Sequence, residues 1–600
     1  MRDGDVSLVR RAANAGLIGG AAAIYFAVVG MIQRFDARVV IYQVVTLGPG
    51  LLFVVYFITG FLAGRPPAVR HGEEPPPPPS AASTVGRGAL AGGIAGALTA
   101  ALLLLGSAID MRSVLVSMTQ PLLDILSFDQ GAGLGSLVEV LVGGVIGLLG
   151  AALHLLPSAI RRAVIVGLSA LALVSLMEPL LGQVMRNIFA STRFLLFDPT
   201  WLYRGGGLTR VGAIIVFVLA AGISFFWATR KEVIRGRVGA LPAPQRQAGK
   251  LVAFFLLAAL LFILPEILGS FLSEVIGTVG LYVLLGLGLN IVVGYAGLLD
   301  LGYVAFFAVG AYATAILTSP AAFTEGPFNF WTALPLVVLI TAVSGIAIGA
   351  PVLRLRGDYL AIVTLGFGEI VRIIAISNWA RPWTGGAQGI LRVPDPSIGV
   401  ELPFIGGPEL NGPESLYYLI VIACIAAAFI SVRLQDSRVG RAWVAMREDE
   451  QVAEAMGISI IKTKLLAFVM GATIGSFSGM FFAVKIGSIF PHSFALLVSI
   501  AVLSIVVLGG MGSIPGVVAG AFVLIGLPEL LREFAEYRLL IYGAILVGIM
   551  LFKPEGLIPS ARRQLELHEE QYEEEQYEMR RGPSDEGAPV VAAGGGGDPT

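Results

Sequence analysis

About sixteen apolar runs, most of them ~18 residues or longer, constrain this chain more than any other feature of its sequence. Water cannot solvate such runs. In lipid, every backbone polar group must be satisfied within the protein, which leaves helices or closed barrels. A barrel would show segments of ~10 residues with alternating polarity, and the runs here are unbroken. The fold class is therefore all-α, a polytopic helical membrane protein. Composition agrees: 56% of the 600 residues are hydrophobic and 14% charged, against ~25% charged in soluble proteins. A net charge of −1 gives no bulk attraction to nucleic acid. The single cysteine, Cys424, excludes an intrachain disulfide framework and a multi-cysteine metal site.

Six runs occupy the first part of the chain, near 12–32, 39–63, 88–108, 137–156, 163–182 and 210–229. Residues 1–230 thus read as a six-helix accessory region. Its loop 64–87 holds five prolines, Pro75 to Pro79, a semi-rigid extended linker. A basic, proline-containing joint follows at 231–250. Ten further runs lie within 251–560, near 251–270, 275–294, 297–318, 332–353, 359–377, 416–432, 464–485, 494–509, 514–528 and 538–552. The two runs inside 275–318 read equally as one broken or re-entrant unit, which changes the count by two. Residues 561–600 are acidic, then glycine-rich, and carry no core-forming pattern. Arginine and lysine gather on alternate loops, so the positive-inside rule puts both termini and 433–463 in the cytoplasm and 378–415 outside.

The stretch 286–313, GLGLNIVVGYAGLLDLGYVAFFAVGAYA, is apolar enough for a bilayer, yet it carries Asn290, Asp300 and Tyr303. Gly294 and Gly297 flank a tight segment expected to break the helix. Broken backbone at membrane depth is tolerated only where protein buries it or water reaches it. Asn290 and Asp300 either hydrogen-bond the broken backbone or line a translocation path. Gly510 and Gly512 mark a second expected break. Glu369 and Arg372, three residues apart, share a helix face and are expected to pair toward the bundle interior, as a packing pair or as part of the path. Between runs, Gly440 to Gly457 forms a short polar helix carrying Arg441, Arg447, Glu448, Asp449, Glu450 and Glu454. On its residues alone it reads as a surface helix.

No catalytic or nucleotide-binding motif is present. There is no GxxxxGK[ST] loop, HExxH, paired CxxC or GxSxG, and the four histidines are scattered. The expectation is a non-enzyme that binds no metal and no cofactor.

Four ordered stretches carry a resemblance: 286–313, LRLRGDYLAIVTLGFGEIVRI (353–373), GRAWVAMREDEQVAEAMGI (440–458) and VLGGMGSIPGVVAGA (507–521). Over about 250–565 the chain resembles the M-type permease of branched-chain amino acid ABC importers. Nothing similar stands out in 1–240. The resemblance implies one of two transmembrane subunits of an importer in the prokaryotic cell (inner) membrane. Its implied partners are an H-type permease, two cytoplasmic ATPases that use the ATP, an external solute-binding protein and an amino acid substrate. It also turns 440–457 into a coupling helix that docks on an ATPase. Permeases for urea or short amides share much of this signature. A channel or membrane enzyme centred on the first six spans is the reading from a different class.

Overall fold

The computed structural model describes residues 3–66, 80–192, 198–239, 243–324, 326–352, 355, 357–397, 412–532, 537–553 and 555–559. The proline run, part of the 378–415 loop and the acidic tail lie outside them. The chain is a multi-pass helical membrane protein with two compact units, Met1–Ala259 and Leu260–Thr600.

In the first unit, six helices are long and apolar enough to cross a membrane. They are α1 (Asp3–Val28), α2 (Leu47–Gly64), α3 (Ala81–Ala108), α4 (Gly131–Ala152), α5 (Ser158–Leu176) and α6 (Arg210–Gly239). Glycine lets them touch backbone to backbone. A Cβ on Gly92 of α3 would lie 2.1 Å from the Gly143 carbonyl of α4, and one on Gly60 of α2 would lie 2.0 Å from the Gly147 carbonyl. Small-residue seams of this kind supply packing in lipid, where no hydrophobic drive separates helix from acyl chain. Short strands tie the loops at one end of the unit. In the order 45–46, 39–41, 207–208, 203–204 they form a four-stranded sheet, with Ile41 opposite Leu208 in a parallel pair.

Helix α7 (Ala243–Leu289) continues into the second unit. It is interrupted at Gly269, whose φ of 76° and ψ of 177° are not helical. A π-helical stretch, Asn290–Tyr295, follows. Then come α8 (Val304–Thr318), α9 (Phe330–Val352), α10 (Asp358–Ile376), α11 (Pro413–Gln435), α12 (Arg438–Glu448), α13 (Glu450–Ala455), α14 (Ile460–Ile486), α15 (Leu496–Gly509), α16 (Ile514–Ala521) and α17 (Arg538–Phe552). The segment Gly269–Tyr295 and helix α14 form the centre, with 78% and 61% of their apolar windows buried. Helix α8 packs against α14 through Gly310, Gly475 and Gly479, the last two facing Tyr303 and the Phe307 carbonyl.

The expected apolar runs, about sixteen in number, divide by length in the structure. Among the described residues, eleven helices reach spanning length, and four apolar helices are shorter: Val304–Thr318, Leu496–Gly509, Ile514–Leu530 and Tyr542–Leu551. Fifteen residues of α8 cover only ~22 Å of a ~30 Å hydrocarbon layer. Non-helical backbone flanks Val304–Thr318 and Leu496–Gly509 on both sides, and periodicity alone cannot distinguish it from helix.

Candidate functional site

Between the π-helical stretch and α8 the backbone leaves the helix for Ala296 to Gly302. Ala296 and Leu298 N–H donate back to the Ile291 and Val292 carbonyls, while the amides of Leu301, Gly302 and Val304 are taken up by side chains. Asp300 Oδ1 accepts from Gly302 N–H at 2.8 Å. Thr364 Oγ1 of α10 accepts from Leu301 N–H at 3.1 Å. Ser499 Oγ of α15 accepts from Val304 N–H at 3.0 Å. Tyr303 turns the other way and donates its hydroxyl to the Gly471 carbonyl of α14 at 2.7 Å. Asn290, Asp300 and Tyr303 are each 1% exposed, and Asp300 Oδ2 has no partner. Gly302 is forced to be glycine, because a Cβ there would sit 1.8 Å from the Thr364 carbonyl oxygen.

The second break is joined to the first. Between α15 and α16, Gly510 and Gly512 take φ of 115° and 79°, the left-handed region that favours glycine. Gly512 N–H donates to Asn290 Oδ1 at 2.8 Å. Gly294 leaves the room this requires, since a Cβ on it would meet Asn290 Oδ1 at 2.2 Å. The sequence gives no sign that residues 556–559 close this break. The Leu557 and Ile558 N–H groups donate to the Leu508 and Gly509 carbonyls, capping α15.

Helices α12 and α13 hang on this assembly by three ties. Trp443 is fully buried and donates Nε1–H to the Thr463 carbonyl at 2.9 Å. Lys464 Nζ, its side chain 3% exposed, pairs with Glu450 Oε1 at 2.5 Å. Arg447 Nη1 donates to the Gly294 carbonyl at 2.6 Å. Arg447 reaches it across Gly297, where φ is 70° and an added Cβ would lie 2.7 Å from the Arg447 Cγ. The resemblance sets Arg447 on a helix that docks on an ATPase. The structure instead turns Arg447 inward, because the π-to-loop transition leaves the Gly294 carbonyl without a helical donor.

The other polar residues of this stretch divide by position. Ser437 caps α12 by accepting from Gly440 N–H at 3.2 Å, and Arg441 donates to the Asp436 carbonyl at 3.0 Å. Asp449 caps α13, accepting from Gln451 and Val452 N–H, which lowers its freedom to serve elsewhere. Gly457, at φ 89°, ends α13. Glu448 and Glu454 are exposed. So are Val452 and Met456, at 59% and 79%. Spaced i, i+4, these two make an apolar ridge, and a search for charge patterns missed them.

Glu369 and Arg372 do pair, as their spacing requires. Their side chains are 38% and 28% exposed within this chain. They are half-exposed, whereas Asn290, Asp300 and Tyr303 are buried.

Residues 271–550 match the family described as the branched-chain amino acid transport system permease component. The high-affinity branched-chain amino acid transport system permease proteins LivM of Salmonella typhimurium and of Escherichia coli are each 40% identical, over 288 and 278 residues. These alignments cover 45% and 44% of this chain and 66% and 64% of those relatives, just under two thirds of their length. The permease protein LivH of S. typhimurium is 26% identical over 197 residues, covering 32% of this chain and 63% of that protein. No solved structure matches. The two glycine breaks, the 438–455 helices and nearly all of the short helices fall inside the matched segment, so it is residues 271–550 of this chain that are similar to the branched-chain amino acid transport system permease component.

Proposed function

We propose that the chain is the transmembrane permease subunit of an ATP-driven importer of branched-chain amino acids. It forms half of the path beside an H-type permease, receives substrate from an external solute-binding protein, and is driven by two cytoplasmic ATPases. It sits in a prokaryotic cell membrane with both termini and the 433–463 segment in the cytoplasm. The relatives' names support the substrate class. One observation supports coupling above the others: Arg447 ties the 438–455 helices to the Gly294 carbonyl, and Asn290 ties that break to Gly512. A push on α12 and α13 is thereby delivered to both broken segments of the membrane core. The exposed Val452 and Met456 ridge, with Glu448 and Glu454 beside it, supplies the surface that an ATPase groove would grip.

Affinity purification of the full chain from its native membrane, with uptake of radiolabelled leucine, valine, urea and acetamide in parallel, tests this. The expected result is co-purification of an ATPase and a second permease, with uptake confined to the apolar amino acids. Absence of an ATPase, or uptake of urea alone, would replace the reading.

A further inference from the structure

The first unit lies outside the matched segment, and the transport reading gives its helices no task. Its interior holds one feature that packing alone does not require. Glu139, on α4 in the middle of an apolar span, is 0% exposed. Two hydroxyls from two other helices converge on it. Tyr56 of α2 donates to Glu139 Oε1, and Thr99 Oγ1 of α3 lies 3.1 Å from the same oxygen. Tyr56 and Thr99 are themselves 0% exposed and 2.7 Å apart. Glu139 Oε2 has no partner.

Among the described residues, no cation is paired with this carboxyl. Of the helices packed against α4, α2 presents only Tyr56 as a titratable neighbour, with Arg65 beyond its far end. Arg87 of α3 is twelve residues from Thr99, ~18 Å along the helix. On the short helix Gln120–Leu126, Asp124 accepts from Gln120 at 2.9 Å. His154, past the end of α4, bonds the Phe61 carbonyl. An unpaired carboxylate in such a medium costs far more than hydroxyl donors return, and a buried acid avoids that cost by keeping its proton. The backbones of α3 and α4 meet beside it: a Cβ on Gly96 would lie 2.7 Å from the Glu139 backbone carbonyl oxygen.

We propose that Glu139 is an intramembrane proton-binding site in the first unit, with the proton on Oε2 and Oε1 held by Tyr56 and Thr99. The bound proton is what allows α2, α3 and α4 to close on one another. Loss of the proton leaves an anion in the seam, and the three helices must part to let water in. The first unit therefore responds to pH, and the ligand is the proton itself. None of this depends on the substrate or partners of the second unit.

The test uses the full chain in lipid nanodiscs, as wild type, Glu139→Gln and Glu139→Ala. Glutamine copies the shape and donor of the neutral acid. Infrared spectroscopy should show a protonated-carboxyl stretch in the wild type at neutral pH that Glu139→Gln lacks. The wild-type first unit should melt several degrees lower in alkaline than in mildly acidic buffer, because the anion left in the seam forces the three helices apart. Glu139→Gln should melt as the wild type does in acid and stay level as pH rises, while Glu139→Ala melts lower throughout. An unchanged carboxyl stretch in Glu139→Gln overturns the proposal. So does a Glu139→Gln chain as unstable as Glu139→Ala, which would mean that the charge is needed. Wild-type stabilisation by sodium at alkaline pH that Glu139→Gln lacks would assign the site to a metal cation instead.

Discussion

Both units pack helices on glycine, and the second adds a further use of it. In the first, glycines lie inside continuous helices, and their missing side chains let α2, α3 and α4 meet at backbone distance. In the second, Gly297, Gly510 and Gly512 sit at positive φ where helices stop, and Gly302 lets a loop pass against Thr364. The first arrangement makes a bundle whose parts cannot slide. The second makes half-helices whose ends are held by single side-chain bonds. One residue type thus serves rigidity in one place and interruption in another, and the difference is whether a polar side chain waits beside it.

The sharpest way to break this contrast is Gly302→Ala. The new methyl meets a backbone oxygen at 1.8 Å, which no rotamer change relieves. Uptake should fall by roughly a hundredfold at normal membrane abundance, since such overlaps cost several kcal/mol. Gly93→Ala on α3, with nothing within 4 Å of the added carbon, is the matched control and should change nothing. Equal effects of the two would show that position in the fold is irrelevant.

Arg447→Ala comes next. It removes a charged donor from a buried carbonyl, worth about 1.5–3 kcal/mol, so uptake should drop by about tenfold or more while the ATPase still co-purifies. Loss of ATPase binding would make Arg447 a docking residue. Gly92→Leu in the first unit should lower the melting temperature by roughly 2–8 °C through about 1–3 kcal/mol of overpacking. Uptake per folded molecule should stay within about threefold if the second unit carries the transport. The smallest effect belongs to truncation after Arg563, which should leave uptake within about twofold because the acidic run has no apolar face to bury.

Much of this architecture is legible in the sequence. The six spans of the first unit follow from apolar length, and Gly294, Gly297, Gly510 and Gly512 announce the breaks because no other residue suits them. The pairing of Glu369 with Arg372 follows from helical spacing. What could not be read is direction and distance. Arg447 turns inward to a carbonyl 153 positions away in sequence, and Asn290 bonds Gly512 at a separation of 222. Thr364 and Ser499 look like ordinary span residues until the loop that they serve is folded beside them. Glu139 is visible as one acid in an apolar run, but its two hydroxyl neighbours come from helices that periodicity cannot place together.

The loop at 296–303 has a consequence for motion. In a helix, releasing one amide strains the next, so opening spreads along several residues. Here the amides of Leu301, Gly302 and Val304 are held by Thr364, Asp300 and Ser499 separately. Each can be released by one χ1 rotation while the flanking helices stay wound. Exchange of these amide hydrogens with solvent deuterium should accordingly outrun that of the neighbouring turns of α8, and it should do so residue by residue rather than as a cooperative block.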